Sequence, residues 1–274
     1  MIELRLNWKE FKESVISKND SCQYVYRGHA CEAWKLESTL YRHLKELKEQ
    51  VEWISAYNYF ELLRSVLFRQ EVKNNPDFKS LVFPNMSPFV VGLMAGDKKH
   101  NEGFVKVFEF MIKLRHLGFP SPLLDWTKNP HVAAFFALLG FEGEGFMSIS
   151  RMRTVPKFDP FNLNVLISEF EFSSNFSRHY NQKSNYSLVV KHDHLDTVKR
   201  GQERIGPIFY LGALDDLTVS DMEIEKYIIT DSKERKEEML EELSNNGYCE
   251  KSIFGDEHPL EYTTLKILAD KIRP

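Results

Sequence analysis

The residues whose types and spacing can do chemistry fall in two short stretches. The first is Tyr26-Arg27-Gly28, where the β-rich run of Tyr24, Val25 and Tyr26 stops. An arginine at a strand end can fork onto an oxyanion, and a glycine after it lets a ligand approach the backbone, which together suit a phosphate. A surface arginine beside a turn is the default for such a short motif. The second stretch runs from Leu114 to Leu139, LRHLGFPSPLLDWTKNPHVAAFFALL. Gly118, Pro120 and Pro122 stop a helix, Leu123 and Leu124 open a short buried strand, Asn129 suits an N-cap and Pro130 the first helical position. Asp125, Trp126 and Thr127 thus stand between a buried strand and the N-terminus of a buried apolar helix, in its partial positive field and beside free N–H groups. Such a junction can hold an anion or a polar ligand; the alternative is that Asp125 and Thr127 only cap the turn. His192, Asp193 and His194 could ligate a metal, for instance in a nuclease, but no further ligand stands at a helpful spacing. A solvated turn is the default there and no metal is expected. No Ser/His/Asp order, glycine-rich phosphate loop or zinc signature is present.

The elements that must position these residues follow from periodicity. Trp8, Phe11 and Val15 recur at helical spacing and predict a short amphipathic helix ending near Lys18 to Asp20. From His43 to Glu71, Leu44, Leu47, Val51, Ile54, Leu62, Val66 and Leu67 fall largely on one face and predict a long scaffold helix, ended by Asn74, Asn75 and Pro76. A further helix is expected from Phe104 to Leu117. After Leu139 short strands are expected at Phe146 to Ile149, Val165 to Ile167, Leu188 to Val190, Ile208 to Leu211 and Tyr227 to Ile229. Most run too close together for helical crossovers, so the sheet is expected to be mixed or antiparallel. Asp231 with Glu234 reads as a capping box opening a helix that Asn246 and Gly247 close. The expected organisation is one α+β domain over 1–274, with a helical part to about 117 and a strand-rich part after it.

Composition bounds the function. At 274 residues, with 42% hydrophobic and 28% charged residues, the chain can bury a real core and reads as a globular protein. A net charge of −4 supplies no global basic field, so any nucleic-acid contact must come from a local patch. Cys22, Cys31 and Cys249 are odd in number and form no CxxC, which favours reduced thiols. The first residues carry charges throughout, with no signal-peptide core, and no apolar run is long enough to span a bilayer. A soluble, cytoplasmic protein is expected.

These motifs resemble the FRG domain family, whose naming motif stands here as Tyr26-Arg27-Gly28. After it the family's tryptophan, leucine and leucine-basic pair correspond to Trp34, Leu36, Leu40 and Arg42. The family's histidine-glycine-proline stretch leading to LLDWT corresponds to His116, Gly118, Pro120 and Leu123 to Thr127. The resemblance extends from about Ser21 to Tyr262. The residue after the RG pair is commonly glutamine and is His29 here. The family's late motif, an arginine followed by glutamine, glycine and phenylalanine, is matched loosely by Arg200, Gln202, Glu203, Gly206 and Phe209, with Arg204 about where its glutamine falls.

FRG domains are in turn similar to ADP-ribosyltransferases, and the resemblance implies that fold, NAD as cofactor, and a role as a toxin or anti-phage effector restrained by an antitoxin or inhibitor protein. The acceptor it implies is a macromolecule, with RNA or DNA favoured over protein. It implies catalytic roles for Arg27, Asp125, Thr127 and Glu203, with Glu169 or Glu171 as alternative carboxylates. Cofactor contacts would come from Tyr26, Arg27, Gly28, His29, Trp126 and Thr127, and substrate contacts from His116, Arg200 and Gln202. An acid and an indole, Asp125 and Trp126, stand where the larger group has hydroxyls. The second implied class is therefore a non-enzymatic module that binds a nucleotide or a protein on the same fold.

Overall fold

Gly28 decides how the strand that carries Arg27 meets the buried helix. The computed structural model describes residues 1–19, 23–40, 42, 53–55, 59, 64, 84–85, 106–107, 110–112, 115, 121–153, 163–170, 184–193, 208–212 and 224–254, with the backbone alone at 53–55, 163–170, 184–193, 208–212 and 254. Strand β1 (Ile2–Leu6) leads to helix α1 (Trp8–Phe11), which continues as a π-helical turn over Lys12–Ile16. Then follow β2 (Tyr24–His29), β3 (Trp53–Ser55), β4 (Leu124–Trp126) and helix α2 (Pro130–Leu139). Strands β5 (Met147–Arg153), β6 (Leu163–Phe170), β7 (Ser184–Asp193), β8 (Ile208–Gly212) and β9 (Ile224–Ile229) precede α3 (Lys236–Asn245) and α4 (Glu250–Phe254).

Two sheets result. One runs β1-β9-β5-β2, parallel at β1–β9 and antiparallel elsewhere; the other runs β3-β8-β7-β4, with β6 also on β7. The fold is therefore α+β with a mixed four-stranded sheet, as the strand spacing predicted. α2 lies on the first sheet over β2, and a Cβ at Gly28 would overlap the Ala133 carbonyl and reach the Ala137 amide nitrogen at 2.9 Å. Gly28 thus serves helix-to-strand contact and not, as its place after an arginine suggests, the approach of a ligand. Around it Trp8, Phe11, Tyr26, Ala134, Phe135, Leu138, Ile149 and Tyr227 form the core. Asn129 caps α2, its side chain accepting the His131 N–H at 2.9 Å, with Pro130 at the first position as expected.

Other expectations are corrected. β1 was not anticipated: Ile2 and Leu4 are exposed, and its pairing with β9 joins chain segments more than two hundred residues apart, beyond any local pattern. The helix expected over His43 to Glu71 is broken by β3, whose Trp53, Ile54 and Ser55 pair with Gly212, Leu211 and Tyr210; the rest of it lies outside the described residues, apart from Tyr59 and Arg64, which are helical. In the expected Phe104 to Leu117 helix, the described residues are helical, and Val107, Phe110, Met111 and Ile112 are buried. No side chain caps α3. The Asp231 carboxylate instead accepts the Trp8 N–H at 2.8 Å, while the capping box forms at Asn7 and Glu10. Gly247, at φ +84°, does close α3. Trp8 Nε1 and Lys12 Nζ both donate to Glu242, at 2.9 and 2.6 Å, and tie α1 to α3. No helix among the described residues is long and apolar enough to cross a membrane.

Because the clash at Gly28 is with helix backbone, no side-chain rotation relieves it. Gly28→Ala is expected to destabilise the fold by about 3 kcal/mol, the upper part of the overpacking range, as a lowered denaturation midpoint in urea with an unchanged m-value.

Candidate functional site

A single β-bridge brings the two chemical stretches together. The Tyr26 N–H donates to the Thr127 carbonyl at 2.7 Å, and the Thr127 N–H returns to the Tyr26 carbonyl at 2.9 Å. Arg27 follows Tyr26 and Asp125 precedes Trp126, so their side chains meet beside the bridge. Arg27 Nη1 donates to the Asp125 carbonyl at 2.8 Å and to its Oδ1 at 2.5 Å. Arg115 Nη2 donates to the same Oδ1, so two guanidiniums share one carboxylate oxygen. Arg27 Nε donates to His29 Nε2 at 3.1 Å. Arg115 is not among the site residues read from the sequence; its place nine residues before Leu124, the start of β4, was the available signal.

The electrostatics follow from this geometry. The side chains of Arg27 and Arg115 are only 16% and 14% exposed, while that of Asp125 is 50% exposed. Burial works to raise the Asp125 carboxyl, but Arg115 and Arg27 outweigh it and hold it well below the usual carboxylate range, an effect that solvent on its open half screens. Burial also lowers the Arg27 guanidinium, opposed by Asp125, and the charges of Arg115 and Arg42 act on it in the same direction as burial. Two arginines thus hold one carboxylate, with the charge of a third, Arg42, felt at Arg27. In a chain of net charge −4 this is a local excess of positive charge suited to an anion.

His29, 6% exposed, is held neutral. Burial pushes it down to about 3, helped by Arg27 and Lys226. Since Nε2 accepts from Arg27, the ring proton sits on Nδ1, which is buried with no hydrogen-bond partner among the described residues. Trp34 meets His29 edge-on, with ring centroids 6.3 Å apart, and is 52% exposed. It presents an open indole, whereas Trp126, for which the resemblance implies a cofactor contact, is buried. Trp126 and Tyr26 are buried, and the Tyr26 hydroxyl donates to Asn19 at 2.8 Å, so neither ring offers a face for stacking. Thr127 Oγ1 accepts the Asn129 N–H at 3.1 Å and so caps the turn. His116, Arg200, Gln202, Glu203 and Glu171 lie outside the described residues, as do the side chains of Glu169 and His192; no metal-binding cluster occurs among the described ones.

The FRG domain family model matches residues 22–142, a stretch similar to that family that includes Arg27, His29, Arg115, Asp125 and α2. The resemblance from there to Tyr262 lies outside the match. No curated protein matches the chain, and no solved structure does.

Two outcomes follow. His29 has a folded value near 3 against an ordinary 6.5, so the unfolded chain binds more protons between those limits. Its contribution to stability is complete above pH 6.5 and is lost as pH falls toward 3, by about 1.4 kcal/mol per pH unit. Thermal midpoints measured from pH 7 to 5 are expected to fall less for His29→Gln than for wild type. Asp125→Ala leaves two little-exposed guanidiniums without their carboxylate and is expected to destabilise by about 2 kcal/mol, below the value for a fully buried pair because half of Asp125 meets solvent; chemical denaturation measures this.

Proposed function

We propose that the chain is an NAD-dependent ADP-ribosyltransferase-like effector that receives the pyrophosphate of NAD at the Arg27–Asp125–Arg115 cluster. The observation that carries this reading is the sharing of one Asp125 oxygen by two guanidiniums, which leaves positive charge and donors in excess beside the β2–β4 bridge. That donor set fits a pyrophosphate. NAD, when bound, supplies a glycosidic bond whose cleavage passes through an oxocarbenium-like state, stabilised by fixed charges and hydrogen bonds. Arg27 binds and orients the phosphates, with Arg115 holding Asp125 in place. Trp34 supplies an open aromatic face beside them. The carboxylate that faces the ribose and serves the acceptor comes from Glu203, Glu169 or Glu171. The order of an arginine-bearing strand followed by a polar turn that opens a helix supports this reading. The acceptor is a macromolecule, RNA or DNA before protein, and an antitoxin or inhibitor protein restrains the activity.

A second reading, a nucleotide- or protein-binding module without turnover, is favoured by one observation. Thr127 is committed to the turn and Tyr26 and Trp126 to the core, which leaves these three without a role at a ribose or base.

Incubation of labelled NAD with cell lysate is expected to transfer label with wild type, and at least about tenfold less with Arg27→Lys, which keeps the charge but loses the fork. Label released by nuclease and not by protease identifies the acceptor. No transfer by wild type under varied conditions, with NAD binding still recorded by calorimetry, selects the binding module.

A further inference from the structure

The first sheet has two faces, and the one turned away from α2 sets buried polar residues among the buried Val25, Met152, Ile224 and Ile228. Gly28 faces α2, so by strand alternation Arg27 and His29 face the opposite way. In the β2–β5 register Arg27 stands opposite Ser150 and His29 opposite Ser148; across β5–β9, Ser150 stands opposite Lys226. Directly opposed residues project to the same face. Arg27, Ser150 and Lys226 therefore make one row across three strands, and His29, Ser148 and the apolar Ile228 make the next.

All but Arg27 are buried to less than one tenth exposure: His29 6%, Ser148 0%, Ser150 1% and Lys226 6%. Lys226 Nζ is engaged, with Glu3 at 3.3 Å and with the Glu32 carbonyl. The neighbouring His29 Nδ1, Ser148 Oγ and Ser150 Oγ have no hydrogen-bond partner among the described residues. Buried polar atoms are nearly always paired, since each orphan forfeits its hydration without return. Three orphans side by side, flanked by two cations, are a donor set awaiting an acceptor. His29 can only donate at Nδ1, because its other nitrogen accepts from Arg27, and a hydroxyl can turn its proton toward the same centre.

We infer that this face is the floor of a binding site for a phosphate-class oxyanion, with His29, Ser148 and Ser150 as neutral donors and Arg27 and Lys226 as the flanking charges. Through Arg27 it adjoins the cluster above and rests on the reading of that cluster as an anion site, but it requires no transfer reaction. It extends the site onto β5 and β9, beyond the stretch matched by the FRG domain.

Calorimetric titration of the full chain with inorganic pyrophosphate tests it, with Ser148→Ala, Ser150→Ala and the double variant. Each hydroxyl removed is expected to weaken binding about tenfold, while the ligand-free thermal midpoint stays or rises, because an unpaired buried hydroxyl has been replaced by a methyl. The same losses with ADP assign the donors to the phosphates; losses with ADP and none with pyrophosphate overturn the assignment. Unchanged affinity in the variants overturns it, as does a lowered ligand-free midpoint, which would give the hydroxyls structural partners. Wild type that binds no pyrophosphate also overturns it; label transfer from NAD by that same preparation would leave the proposed function standing.

Discussion

The absence of a side chain at Gly28 is the constraint on which the rest of the site depends. The carbonyl of Ala133 occupies the space a Cβ would need, so α2 settles directly on β2. That contact turns Arg27 and His29 to the far face by strand alternation. It also places the start of α2, and the turn before it, beside the strand, where the Tyr26–Thr127 bridge can form. Without close approach at one residue, the arginine and the aspartate would have no common edge.

Once aligned there, the charges do not cancel. A single carboxylate shared by two guanidiniums, with a third arginine near, holds its partners in place but leaves donor capacity over. The arrangement differs from an ordinary surface ion pair because the arginines are mostly covered while the acid is half open. On the proposed reading, an anion meets guanidiniums already oriented and partly stripped of water, which strengthens each charged hydrogen bond and lowers the entropy lost on binding.

The two faces of the first sheet divide the labour. The face under α2 packs Tyr26, Ala133, Ala137, Ile149 and Tyr227 into the core. The opposite face carries hydroxyls, a neutral imidazole and a lysine at positions that packing alone would fill with aliphatic side chains. Buried groups held without partners reduce stability locally, a pattern that proteins tolerate where a ligand is to be met.

By itself the sequence determined the local punctuation of this protein: the Asn129-Pro130 start of α2, the glycine that closes α3, the short strands after Leu139, and the two motifs that meet in the site. These are set by backbone chemistry within a few residues, and so they can be read along the chain. Only the tertiary structure decided that Gly28 serves a helix, that Thr127 caps a turn, that Tyr26 and Trp126 belong to the core, and that Arg115 and Trp34 belong beside Arg27. It also decided the parallel pairing of β1 with β9 and the strand at Trp53 within an apparently helical stretch. Each of these depends on a neighbour distant in sequence, whose position no pattern of spacing encodes.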